Sequence, residues 1–246
     1  MSDTIISNGV LEPISKFKKT EFWDRFKYYP INLDLRNKRC IVIGGGQIAE
    51  RKTFSLLECG AEVLLISPGV TQRLDRLRQE NKNFYYRNGY YHRDDLKGAA
   101  LVISATNDHE VNCKIANDAK ELNIIVNVVD VPDLCDFIVP SVIRRGDLLL
   151  TVSTSGASPA LSKKIREELE GIYGKEYESL LKIFFKIRKE VIKKIPDINK
   201  RKTIFEELIE ADLISLLKKK QLEKVYCKIK DITGLEIENL TYTTPT

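Results

Sequence analysis

The sequence predicts an α/β protein, a doubly wound parallel sheet followed by a helical C-terminal part. Three observations carry that reading. Short apolar runs alternate with helical spacings from Arg39 to Val129, a glycine turn joins the first run to the first helix, and beyond Gly174 only helical stripes remain. The 246 residues suffice for one large domain or two small ones. With 43% hydrophobic and 30% charged residues the composition is that of a folded chain, which excludes a disordered or collagen-like one. No apolar run reaches the roughly 18 residues of a membrane helix. The start carries no basic stretch followed by an apolar one, so no secretory signal is expected and a cytoplasmic protein is. Cys40, Cys59, Cys113, Cys135 and Cys227 form no CxxC pair, and His92 and His109 stand apart. Reduced thiols and no resident metal site are therefore expected.

The elements follow in order. Residues 1–27 read as a polar extension without a period, whose aromatics Phe17, Phe22, Trp23 and Phe26 are expected to pack. Cys40-Ile41-Val42-Ile43 is a buried strand ended by Gly44-Gly45-Gly46. Residues 48–59 have helical spacing, closed by Gly60. Strands are expected at 62–67, 84–87, 99–105 and 124–129, with helices at 71–80 and 109–122 between them. Such alternation implies parallel strands covered on both faces. After Pro140 the pattern changes. A strand at 148–153 and a helix at 158–170 come first. Tyr177, Leu180, Phe184, Ile187, Val191 and Ile195 then mark one helix, broken at Pro196. Phe205, Leu208, Ile209, Leu213, Leu216 and Leu217 mark a second. Both stripes read as core or subunit interface.

The net charge of +5 is uneven: residues 161–202 hold 13 Lys and Arg against 7 Asp and Glu. A solvated helix face and a landing site for a polyanion both fit that excess.

Gly44-Gly45-Gly46-Gln47-Ile48-Ala49 is a GxGxxA turn between a strand and a helix, the context of a Rossmann-like dinucleotide site. Gly44 permits the tight turn, Gly46 admits a pyrophosphate, and Ala49 lets helix and strand approach. The helix start supplies free amides and a positive dipole end. The next strand ends Ser67-Pro68, with no ribose-binding carboxylate; Ser67 can reach a ribose and Arg73 a 2′-phosphate, so NAD and NADP both remain open. Thr106 and Asn107 end a strand on the cofactor side of the sheet, or precede an N-cap at Asp108. Asp130 ends another strand, as a general base or as an Asx turn before Pro132. Ser153-Thr154-Ser155-Gly156-Ala157-Ser158-Pro159, with Lys163, Lys164 and Arg166 behind it, is an anion site or a capped, solvated helix start.

Six motifs occur in order: Tyr28-Tyr29-Pro30-Ile31-Asn32-Leu33-Asp34-Leu35, GGGQIAERK (44–52), SATND (104–108), NVVD (127–130), Phe137-Ile138-Val139-Pro140 and STSGASP (153–159). Together they resemble the precorrin-2 dehydrogenase family of siroheme biosynthesis, also called siroheme synthase, over about residues 28–230. The resemblance implies NAD-dependent oxidation of precorrin-2 to sirohydrochlorin, and in some members insertion of ferrous iron. It implies a homodimer with an NAD-binding Rossmann domain at 28–139, a dimerisation region at 140–172, a helical domain at 173–234 and a tail at 235–246. Asp130 matches the catalytic aspartate. Gly44 to Ala49, Ser67, Pro68, Thr106 and Asn107 match the cofactor side, and Asn127, Ser153, Thr154, Ser155, Gly156, Ser158 and Lys163 the substrate side. Thr154 falls where a fused relative has a phosphorylated serine. The 246 residues leave no room for that relative's methyltransferase domain, so a stand-alone form is expected. Two rivals of another class are a non-catalytic dinucleotide-binding regulatory module and a nucleic-acid binder using the basic helices. Glu interspersed among those lysines argues against the second.

Overall fold

The computed structural model describes residues 28–235 and the backbone of 4–7 and 10–13. The expected packing of Phe17, Phe22, Trp23 and Phe26, and the tail from 236 on, lie outside the described residues. Within the N-terminal extension, β1 (Thr4–Ser7) and β2 (Val10–Pro13) pair as an antiparallel hairpin, where no period was expected. The sequence signal is Asn8-Gly9 between two short runs.

The chain divides into two compact units, Met1–Val139 and Pro140–Thr246. In the first, β3 (Arg39–Ile43), β4 (Glu62–Ser67), β5 (Phe84–Asn88), β6 (Leu101–Ser104) and β7 (Ile125–Val128) form a parallel sheet in the order β5-β4-β3-β6-β7. This is the expected doubly wound sheet. The alternate residues of β3 explain its two covers. Cys40 and Val42 pack with Ala49 and Leu56 of α1 (Gln47–Glu58) and Leu74 and Leu77 of α2 (Gln72–Glu80). Ile41 and Ile43 pack with Ile115 and Ala119 of α3 (His109–Glu121). Burial on both faces is why these strands read as continuous apolar runs. Chain direction across the sheet reverses between β3 and β6, and ligands of such sheets sit beyond the carboxyl ends at that point.

The second unit opens with an antiparallel hairpin, β8 (Ser141–Arg145) and β9 (Leu148–Val152). β8 was not expected because only Ile143 in it is buried; Gly146-Asp147, with Gly146 at φ +57°, is the turn signal. Then come α4 (Pro159–Ile172), α5 (Glu176–Lys194), α6 (Ile198–Glu210), α7 (Leu213–Lys218) and α8 (Leu222–Thr233). The single helix expected across Phe205 to Leu217 is two. Asp212 turns left-handed at φ +51° and lets α6 and α7 bury Ile204, Leu208, Leu213 and Leu217 in one core with Val225 and Ile229 of α8. Among the described residues no helix is long and apolar enough to cross a membrane.

Candidate functional site

Each glycine of the turn after β3 has a different reason to be there. Gly44 sits at φ +116°, donates to Ile66 O at 2.9 Å, and a Cβ on it would lie 2.3 Å from Ala105 O. It ties the ends of β3, β4 and β6 together. Gly45 packs on the loop after β4, where a Cβ would lie 1.8 Å from Gly69 O. Gly46 meets nothing within 4 Å. It is the N-cap of α1, extended, with no side-chain cap, so the first amides of the helix have no intrahelical partner, and Gln47 and Ile48 at this end are exposed. Ala49 is fully buried against the sheet. An exposed helix start with no Cβ in front of it is a cradle for a phosphate, so these residues fit a dinucleotide pyrophosphate.

Around this turn the first unit gathers the other strand ends. Ser67 is buried; its hydroxyl donates to Gly69 O at 2.7 Å and accepts from Gly69 N at 3.4 Å, which pins the loop after β4, and Pro68 beside it is exposed. Arg73, the candidate for a 2′-phosphate, pairs with Glu50 at 3.4 Å and lies 4.1 Å over the Phe54 ring. Glu50 was missed from sequence. Its only signal there is the first turn of α1, and its partners are 21 and 23 residues away. After β6, the Thr106 hydroxyl donates to Asn112 Oδ1 at 2.8 Å, and Asp108 caps α3 by accepting from Val111 N. The cap is therefore real, and exposed Asn107 remains facing solvent beside the turn.

Asp130 stands exposed at φ +60° in the turn after β7, closed by Val131 N donating to Val128 O at 3.3 Å. The chain then runs back along β7. Asp136 Oδ2 accepts from Val126 N at 2.9 Å, Cys135 Sγ accepts from Val128 N at 3.2 Å, and Asn127 Nδ2 donates to Phe137 O at 2.9 Å. Asn127 is buried and holds this return segment, a structural task the sequence did not signal. Burial lowers the Lys52 ammonium from its ordinary value, with Arg51 adding to the shift and Cys135 opposing it.

The Ser/Thr loop lies in the second unit. Ser158 caps α4 by accepting from Leu161 N, with Pro159 in the first turn. Thr154 Oγ1 accepts from Ser158 N at 3.1 Å and lies 3.0 Å from Ser162 Oγ. Ser155 and Gly156 follow at φ +51° and +84°, and Ser153 Oγ accepts from Ser155 N. The loop is a preformed hydroxyl-rich turn ahead of a helix start. Part of the basic excess behind it is self-paired along the helices, as in Lys163–Glu167 at 3.9 Å and Lys182–Glu178 at 2.6 Å.

Comparison with known proteins adds to this geometry. A family model described as "Putative NAD(P)-binding" matches residues 31–141, and one described as "Sirohaem biosynthesis protein central" matches 145–172, together more than half the chain. A siroheme synthase of Nitrosomonas europaea is 33% identical over 190 residues, 77% of this chain and 40% of that protein. One of Methylococcus capsulatus is 36% identical over 189 residues, with the same coverage of 77% and 40%. The chain thus spans about 40% of the length of these curated relatives. Among solved structures, that of SirC, a precorrin-2 dehydrogenase, superposes with a TM-score of 0.69 at 25% identity, covering 85% of this chain and 100% of that one.

Proposed function

The chain belongs to the precorrin-2 dehydrogenase and siroheme synthase N-terminal family, and from that membership we propose that it oxidises precorrin-2 to sirohydrochlorin with NAD. The observation that carries this is the open, uncapped start of α1 at Gly46, in a glycine turn packed on the ends of β4 and β6. When bound there, NAD supplies the acceptor for the hydride that leaves the macrocycle. The amides from Gly46 to Ala49 bind the pyrophosphate, with Gly44 and Gly45 shaping the turn. Ser67 and Pro68 border the ribose side, and Thr106 and Asn107 the opposite side.

The oxidation also releases a proton, and the exposed carboxylate of Asp130 takes it as general base. In the second unit Ser153, Thr154, Ser155, Gly156, Ser158 and Lys163 serve the substrate, a polycarboxylate that suits hydroxyls, helix-start amides and a cation. In the same reading the protein is a cytoplasmic homodimer. Were ferrous iron inserted in a second step, as in some members of the family, it would be a substrate with the tetrapyrrole nitrogens as its ligands, and no resident metal site would be needed.

The test is an anaerobic assay with purified protein, fresh precorrin-2 and NAD, followed by addition of ferrous ion. The sirohydrochlorin spectrum with stoichiometric NADH is the expected result. NAD binding without turnover would instead make the protein a non-catalytic dinucleotide-binding module.

A further inference from the structure

The end of β4 is where a nucleotide-binding sheet of this kind ordinarily places the carboxylate that reads the ribose hydroxyls, or an arginine nearby that accepts a 2′-phosphate. Here that strand ends Ser67-Pro68-Gly69-Val70, and a carboxylate reaches the place from another element. Glu50 lies in the first turn of α1, four residues after Gly46. Its Oε2 accepts from Thr71 Oγ1 at 2.5 Å and its Oε1 from Arg73 Nη1 at 3.4 Å. The same loop is pinned to the glycine turn, since Thr71 N donates to Gly45 O at 3.1 Å. The Glu50 side chain is 18% exposed, against 68% for Arg73. The Arg73 guanidinium is also drawn over Phe54.

We propose that Glu50 sets the cofactor selectivity of this site: its carboxylate replaces the acid missing from the end of β4 and, by holding Arg73, keeps a 2′-phosphate out. The proposal rests on the reading of the glycine turn as the dinucleotide site. A 2′-phosphate brings a dianion up to a fixed carboxylate, and each is repelled where water is partly excluded. To be accepted it would need Arg73 as its partner, and Arg73 is already engaged from two sides. An exposed ion pair at this distance is weak by itself. The discrimination therefore comes from the carboxylate, which Thr71 holds in place. A role limited to tying α1 to the loop before α2 would alter stability and leave the choice of nucleotide untouched.

The experiment is a fluorescence titration of the full chain with NADH and with NADPH, without tetrapyrrole. Glu50→Gln keeps the shape and removes the charge, and the NADPH-to-NADH affinity ratio is expected to rise about tenfold. Arg73→Gln in that background is expected to lower the ratio again but to leave it above its starting value, since the carboxylate is still missing, whereas Arg73→Gln alone moves it by less than about twofold, a coupling that a double-mutant cycle reads directly. Glu50→Ala is the second probe, and because both nucleotides are measured on one folded preparation the ratio is insensitive to lost material. An unchanged ratio in both Glu50 variants, with NADH still bound, overturns the proposal and leaves the site standing. Failure of the unaltered protein to bind either nucleotide overturns the site and the proposal together.

Discussion

Asp130 combines a conformational task with the chemical one proposed for it. At φ +60° it occupies a region that Asp, Asn and Gly enter at low cost and other residues do not. Two substitutions therefore part company. Asp130→Asn keeps the turn and loses the carboxylate, so the dehydrogenase rate is expected to fall ~10²–10⁴-fold while NAD affinity and melting temperature hold. Asp130→Ala should show the same rate loss and a further destabilisation of about 1 kcal/mol. Wild-type turnover in the Asn variant would remove Asp130 as the base. The glycine turn offers a second contrast. A side chain at Gly46 meets open space, so Gly46→Asp should fold normally and yet lose NAD binding, because its carboxylate occupies the phosphate cradle. Gly45→Ala should do the reverse. Its Cβ would press on Gly69 O at 1.8 Å and cost ~1–3 kcal/mol or more in stability. Calorimetry with and without NAD separates the two, and equal behaviour of the pair would refute the distinct roles given to these glycines.

At the scale of elements, the segment after β7 explains how an exposed loop holds Asp130 still. β7 is an edge strand, and an open edge invites unwanted pairing. Residues 135–137 cover it through the bonds of Cys135, Asp136 and Asn127, so both arms of the Asp130 loop are fastened to the sheet. Asp136 also donates its own N–H to Val126 O at 2.8 Å. Asp136→Ala should cost ~1–3 kcal/mol by stranding the Val126 amide, and that amide should exchange faster with solvent. Unaltered exchange at Val126 would show that the edge is protected by something else. The central strands were legible, Glu62–Ser67 to the residue, because each is an apolar run between turn signals. β8 and α8 were not. β8 buries only Ile143, and the buried stripe of α8, Val225, Ile229 and Thr233, is sparse and includes a polar residue. A capping role was readable at Asp108 and Ser158 since it is local. The engagement of Asn127 with Phe137 was not, because it depends on the chain folding back.

At the scale of the molecule, the change of pattern at Pro140 coincides with the boundary between a sheet-centred unit and a helical one, each with its own core. That division was legible because periodicity reports burial, and burial differs between a two-sided sheet and a helix bundle. The carboxylate of Glu50 was not, since it joins the site only when α1 and the loop after β4 are brought together by the sheet. The centre of that sheet also couples global stability to pH. Cys40 is fully buried on β3, and burial, with Cys59 adding to it, pushes its thiol from 9.0 up to about 11. In the unfolded chain the thiol ionises first as pH rises, so between these values the folded state binds more protons than the unfolded one. Stability from this group is thus fully present below pH 9 and is lost progressively toward 11. Burial also raises the Tyr91 hydroxyl, which donates to Asp118 Oδ2 at 2.8 Å, and this extends the loss at higher pH. Urea unfolding at pH 8 and pH 10.5 should therefore show a steep fall for the wild-type protein. Cys40→Ala, though less stable throughout for its cavity, should fall less. Parallel losses in the two proteins would mean that the thiol ionises alike folded and unfolded, and the sheet centre would have no part in the alkaline limb.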